Sequence, residues 1–200
     1  SEALIEAEFR SKRPLVLLDR SFPDLEVPSV LIDNYGICYR STQQLIKQGY
    51  RNPAFVTYKQ NQFHTNERKR GFEAAMEDAG LPTSGHVKEV TYGNLQEDMD
   101  EVISQLVGND DKVNAIFFAT NTISIAGMKS LLKRGLAIQK DIQVMCFDET
   151  DAINLFPFGV PFIKQPIKEM AKSAIKLLIE QIEEREVSTQ KLYLDAELIR

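Results

Sequence analysis

The chain has 200 residues, 43% of them hydrophobic and 26% charged, with a formal net charge of −5. That composition fits an ordinary globular protein with one large core or two small ones, and its acidic balance argues against a face that grips a phosphate backbone. It holds no apolar run long enough to span a bilayer, and its first residues do not read as a signal peptide.

Residues 1–12 read as the end of a helix, with Leu4, Ile5 and Phe9 amid charges. A domain that starts in mid-helix suggests a fragment of a longer chain. Residues 14–19, PLVLLD, read as a buried strand, and residues 29–33, SVLID, as a second one. Asp33 and Asn34 are then able to cap a helix that runs to about Gln48 and stops at Gly49. Residues 52–58 form a strand, followed by a polar loop, KQNQFHTNE. Residues 67–79 carry Phe72, Ala75, Met76 and Ala79 on one helical face, with Gly80 as the stop.

A strand over 87–92 and a helix over 95–107 lead into the central unit, residues 114–148. There an unbroken apolar run, 115–119, predicts a strand covered on both faces. Thr120-Asn121-Thr122 offers capping side chains to a helix that ends at Gly135. Residues 142–147 form the next strand, and Asp148 sits just past its carboxyl end. Residues 152–160 are irregular and aromatic, 161–165 are briefly extended, 167–182 form an amphipathic helix, and 191–198 a last strand. Strand and helix alternate throughout, which predicts an α/β architecture with parallel sheets and right-handed crossovers.

No catalytic constellation survives inspection: there is no G-x-S-x-G elbow, no P-loop and no G-x-G-x-x-G. Cys38 and Cys146 read as buried reduced thiols rather than a disulfide. His64 and His86 have no metal-ligand spacing to them, so neither a metal nor a cofactor is expected. What remains is a set of polar side chains at strand ends: Asp19, Arg20, Asp33, Arg68, Asn121 and Asp148. Such groups each make two aimed hydrogen bonds, which suits vicinal hydroxyls or a small anion, and ligands of open parallel sheets bind outside the strands' carboxyl ends. Plainer readings stand beside these. Asp33 and Asn121 fit helix caps equally well, and Arg68 fits a solvated first-turn residue. The basic run Arg68-Lys69-Arg70 near a helix N-terminus, where the dipole disfavours cations, points to a functional role for at least one of the three. Asp148 begins no obvious helix and is the hardest to dismiss.

The motifs PLVLLDR at 14–20, DNYG at 33–36, LIKQGYRNPAFV at 45–56, ERKRGFEAAMEDAGL at 67–81, AIFFATNTISIAGM at 115–128, DIQVMCFDE at 141–149, FIKQPIKEMAKSAIKLL at 162–178 and LDAELIR at 194–200 follow one another in a characteristic order. In that order the chain resembles the ligand-binding core of LacI/GalR-type bacterial transcription regulators over almost its whole length. The resemblance implies two doubly wound parallel-sheet subdomains of the periplasmic-binding-protein-like type I kind, the first incomplete here. It implies crossings near 31–34, 162–166 and 187–190. Residues 1–32 and 165–188 would then form the N-terminal subdomain, and 33–164 with 189–200 the C-terminal one.

An effector, a sugar or sugar phosphate, would bind in the cleft between them. The family's contacts carry over onto Asp19, Arg68, Asn121 and Asp148. The position after Gly93-Asn94 is often aromatic in the family and stacks on the ligand; here it is Leu95, with Tyr92 close by. Tyr50 replaces a usual histidine, a structural position, and Thr122 a usual acid. Further implications are a cytoplasmic homodimer, paired through the helix around 125–132 and the segment 151–159, and operator DNA bound through an N-terminal domain absent from this chain. The alternative is a periplasmic sugar-binding transport protein. The reduced-looking cysteines and the LIR ending weigh against it. An enzyme on an α/β sheet ranks third, for want of a nucleophile–base pair.

Overall fold

A computed structural model describes residues 2–22, 24–60, 62–108, 112–183 and 191–200. In chain order the elements are α1 (Glu2–Arg10), β1 (Leu17–Leu18), β2 (Ser29–Ile32), α2 (Asn34–Lys47), β3 (Pro53–Tyr58), α3 (Phe63–Asp78), β4 (Val87–Val90) and α4 (Leu95–Gly108). There follow β5 (Ala115–Phe118), α5 (Asn121–Lys133), β6 (Gln143–Phe147), a 3-10 turn (Asp151–Leu155), β7 (Phe162–Lys164), α6 (Ile167–Ile182), β8 (Lys191–Leu194) and β9 (Glu197–Ile199). The chain divides into two compact units. Unit 1 is Ser1–Asp33 with Gln165–Ala196, and unit 2 is Asn34–Lys164 with Glu197–Arg200.

Unit 1 holds a parallel sheet in the order β1-β2-β8. All four residues of β2 are buried, as expected of a strand with neighbours on both sides and a helix on its face. That helix is α6, and its Gln181 side chain brackets Leu15: it accepts from the Leu15 N–H at 2.8 Å and donates to the Leu15 carbonyl at 3.1 Å. The strand expected over 14–19 shortens to Leu17–Leu18, because only these two residues come into register with Ser29 and Val30 of β2.

Unit 2 is built on a sheet in the order β4-β3-β5-β6-β7-β9, parallel except that β9 runs antiparallel to β7. Alternation along the strands splits its core in two. Ala54, Val56, Ile116, Phe118, Val144 and Cys146 pack with Met99, Ile103, Ile123 and Leu131 of α4 and α5. Phe55 and Phe117 face the other way, where Phe55 stacks on Phe72 of α3 at 5.2 Å. Helices therefore cover both faces, which is why β5 and β6 are buried along their whole length. Two glycines let helices close in. A Cβ on Gly71 of α3 would fall 2.3 Å from the Tyr35 carbonyl oxygen of α2, and one on Gly127 of α5 would meet the Phe118 ring at 2.2 Å. Tyr50, at the structural position, reaches Gln143 of β6 through its hydroxyl at 3.3 Å. Cys38 and Cys146 are both buried and are not joined in a disulfide.

Two expectations are corrected here. The terminal strand over 191–198 is two strands. Lys191–Leu194 pairs in register with Ser29–Ile32 in unit 1, and only Glu197–Ile199 pairs with β7 in unit 2. Residues 191–196 thus belong with unit 1, not with the second subdomain to which 189–200 were assigned. The crossing expected near 187–190 lies outside the described residues. The second correction concerns α3, which starts at Phe63, so part of the loop KQNQFHTNE is helical. Gln62 takes an extended cap conformation, and the Thr65 hydroxyl donates to its carbonyl at 3.0 Å.

Candidate functional site

The strands β3, β4, β5 and β6 run parallel and end at one edge of the unit 2 sheet. Arg68, Asn121 and Asp148 meet at that edge. Because α3 begins at Phe63, Arg68 lies in its second turn, and the dipole conflict argued from the sequence lapses. The side chain is instead buried, 2% exposed. Its Nε donates to Asn34 Oδ1 at 2.7 Å, and Nη1 donates to the Ala119 carbonyl at 2.8 Å, at the end of β5. The guanidinium carbon sits 3.3 Å from the centre of the Phe147 ring, the last residue of β6. Arg68 thus ties α3 to α2 and to two strand ends.

Asp148 directly follows Phe147 and takes φ 73°, a left-handed conformation in which Asp and Asn are enriched. Its N–H still donates to the Ile163 carbonyl of β7 at 3.0 Å, so the residue leaves the sheet from a fixed point. Asp19 repeats the device in unit 1. It follows β1 with φ 53°, and its N–H donates to the Val30 carbonyl at 2.9 Å. Both acids are partly exposed.

Asn121 is the first residue of α5, but Thr120 is the cap: its hydroxyl accepts from the Ile123 N–H at 3.3 Å. The capping reading of Asn121 therefore gives way, and its side chain projects from the helix's first turn. Leu95, the first residue of α4, is half-buried and packs against the apolar core of unit 2. Beside it stands an aromatic pair that the sequence reading did not assemble. Tyr58 ends β3, Tyr92 follows β4, and their ring centres are 5.9 Å apart. Burial pushes the Tyr58 hydroxyl's pKa up, opposed by the nearby hydroxyls of Thr122 and Thr120. Asn34 and Phe147, the neighbours of Arg68, were also missed as site residues. Phe147 was open to discovery, since it directly precedes Asp148 in the FDE motif.

A charged group stacked and bonded at strand ends, beside a carboxylate and an amide, can fix a small polyhydroxylated molecule by aimed hydrogen bonds. The family model of the periplasmic binding protein-like domain matches residues 42–200. The chain belongs to that family. A curated relative, the HTH-type transcriptional regulator RegA of Clostridium saccharobutylicum, is 28% identical over 185 residues, 92% of this chain and 55% of its own length. Catabolite control protein A of Priestia megaterium is 25% identical over 97% of this chain and 58% of its own. The chain thus spans little more than half the length of these relatives. Among solved structures, a regulatory protein of the LacI family from Chloroflexus aggregans is 26% identical with TM-score 0.88, over 98% of this chain and 70% of its own. A LacI family transcriptional regulator from Enterococcus faecium with bound ribose shares the fold, with TM-score 0.86 at 19% identity, covering 100% and 74%. The periplasmic-binding-protein-like domain of this chain thus has LacI-family transcriptional regulators as homologues. None of its described helices is long and apolar enough to cross a membrane.

Proposed function

We propose that this chain is the effector-sensing core of a LacI-type DNA-binding transcriptional regulator and takes a sugar or sugar phosphate. The observation that carries the reading is the meeting of Arg68, Asn121 and Asp148 at the carboxyl edge of the unit 2 sheet, where parallel sheets bind ligands. Asp148 and Asn121 take ligand hydroxyls, Arg68 supplies a fixed positive charge, and Leu95 adds an apolar contact. Asp19, in its matching left-handed turn, is a further candidate contact. The ribose-bound relative of the same fold supports a sugar as the ligand class. Regulators as relatives favour this reading over a transport protein and over an enzyme.

In the whole protein, operator DNA is bound through a separate domain, in the cytoplasm, by a homodimer. Ile125 and Leu132 of α5 are 43% and 51% exposed, and Leu155 is 85% exposed, which supports the pairing face expected around 125–132 and 151–159. Effector binding shifts the population between arrangements of the dimer that present the DNA-binding domains differently.

Asp148→Asn in the full-length protein tests the site. Asn keeps the left-handed backbone and removes the charge. Calorimetric titration with D-ribose and other sugars should show at least tenfold weaker binding at unchanged melting temperature. Equal affinity would remove Asp148 from the site.

A further inference from the structure

Arg68 is held by Phe147, Ala119 and Asn34, and the three do different things. The Phe147 ring, its centre 3.3 Å from the guanidinium carbon, meets one face of the group. The Ala119 carbonyl accepts from Nη1 at 2.8 Å, and Asn34 Oδ1 accepts from Nε at 2.7 Å. A guanidinium is planar, and its N–H bonds lie in that plane. A ring against one face fixes the tilt of the plane but lets the group turn within it. One in-plane bond still leaves a swing about that bond. A second, from a different nitrogen to a different element, removes the swing. Ala119 follows β5 and Asn34 is the first residue of α2, so the two bonds anchor the group to separate elements.

Ala119 contributes backbone and Phe147 a ring, whereas Asn34 contributes a side-chain acceptor, 3% exposed. Its amide oxygen carries no formal charge, so it aims the guanidinium without cancelling the positive charge. We infer that Asn34 is the positioning residue of Arg68. It sets the direction in which the guanidinium presents its other N–H groups, and it acts on effector affinity only through Arg68. The inference rests on the sensing reading above. A long arginine side chain gives up rotamer freedom when it takes a ligand, and one already fixed at both Nε and Nη1 has given it up beforehand. A buried amide that served only to pack α2 on α3 would change stability and leave affinity as it was.

Full-length wild type, Asn34→Ala, Asn34→Asp, Arg68→Met, the double variant Asn34→Ala/Arg68→Met and Asp148→Asn are titrated by calorimetry with D-ribose and with cellobiose, below the melting midpoint of each. For a sugar that binds wild type, Asn34→Ala should bind about tenfold more weakly, the size of one hydrogen bond to a charged group. Asn34→Asp keeps an acceptor oxygen in the same place and should stay within about threefold of wild type. Arg68→Met has no N–H left to aim, so adding Asn34→Ala to it should weaken binding no further. Wild-type affinity in Asn34→Ala, with Asp148→Asn impaired, overturns the positioning role and leaves the sensing reading standing. Asn34→Asp as weak as Asn34→Ala also overturns it, since the acceptor oxygen would then not carry the effect. So does a further loss in the double variant, which would show Asn34 acting independently of Arg68. Neither sugar binding the wild type would count against the sugar-sensing reading and take the positioning role with it.

Discussion

Replacing Arg68 with methionine keeps an unbranched stem of similar length and removes the guanidinium. The buried site then loses two hydrogen bonds from a charged donor, to Asn34 Oδ1 at 2.7 Å and to the Ala119 carbonyl at 2.8 Å. It also loses the stack at 3.3 Å over Phe147. Each such bond contributes about 1.5–3 kcal/mol net, and a desolvated cation–π contact about 2 kcal/mol. Against these stands relief of the desolvation of a guanidinium that is only 2% exposed, on the order of a few kcal/mol. The balance is a destabilisation of about 2–4 kcal/mol, or a midpoint lowered by about 5–15 °C. Urea and thermal unfolding followed by circular dichroism measure it, read from the transition of unit 2, because two units need not melt together. Arg68→Lys keeps the charge but not the planar stack or the second fixed donor, and should fall between. A methionine variant within about 0.5 kcal/mol of wild type would refute the reasoning, since it would mean that relief of the buried charge cancels all three contacts.

Gly71→Ala should destabilise by about 2 kcal/mol in the same assay. Helix propensity favours Ala by about 1 kcal/mol, but the new methyl would fall 2.3 Å from the Tyr35 carbonyl oxygen and 3.0 Å from the Tyr39 nitrogen, and backbone must move to admit it. A stabilised variant would sink the packing argument. Asp100 gives a pH dependence. The Lys133 ammonium, bonding it at 2.8 Å, and then the Ser130 hydroxyl hold its pKa down to about 2. A pKa depressed in the folded state means stability that is present above the unfolded value of about 4 and is lost as pH falls from there through about 2. Asp100→Asn should therefore lose less stability than wild type between pH 4 and pH 2. Parallel pH profiles for the two proteins would show that the α4–α5 tie contributes nothing.

The alternation of strand and helix was legible because β5 is an uninterrupted apolar run, β6 is one after Gln143, and helices such as α4 show a clear apolar face. Residues 115–118 and 143–147 could hardly be anything else. The start of α3 was not legible. Phe63, His64, Thr65 and Asn66 have no apolar period, and the residue that opens the helix, Gln62, caps it with backbone conformation rather than with a side chain. The split between β8 and β9 was hidden for a related reason. KLYLDAELI reads as one extended segment, and only pairing with two different sheets divides it. At the site, Asn121 and Asp148 could be placed from strand ends alone, whereas the partners of Arg68 come from three other elements and required the fold. Tyr58 and Tyr92 are 34 positions apart and become neighbours only through the β3–β4 pairing.

The two acids show why such a site is recognisable in outline from sequence but not in detail. An extended strand that simply continued past Phe147 would carry its next side chain along the sheet's alternation, towards a helix-covered face. The left-handed turn at Asp148 breaks that alternation while its N–H stays bonded to β7. Asp19 does the same against β2 in unit 1. On the proposed reading, the residue in both places must satisfy the backbone and the ligand edge at once. Gly would meet the first demand without the second, and Glu, with no short side chain to hydrogen-bond locally, suits the left-handed region less well. Asp and Asn are the residues that satisfy both. An acid that directly follows a buried parallel strand and starts no helix is thus informative about conformation as well as charge. The carboxylate can be read from one sequence, but the turn that aims it is fixed by the hydrogen bond to the neighbouring strand.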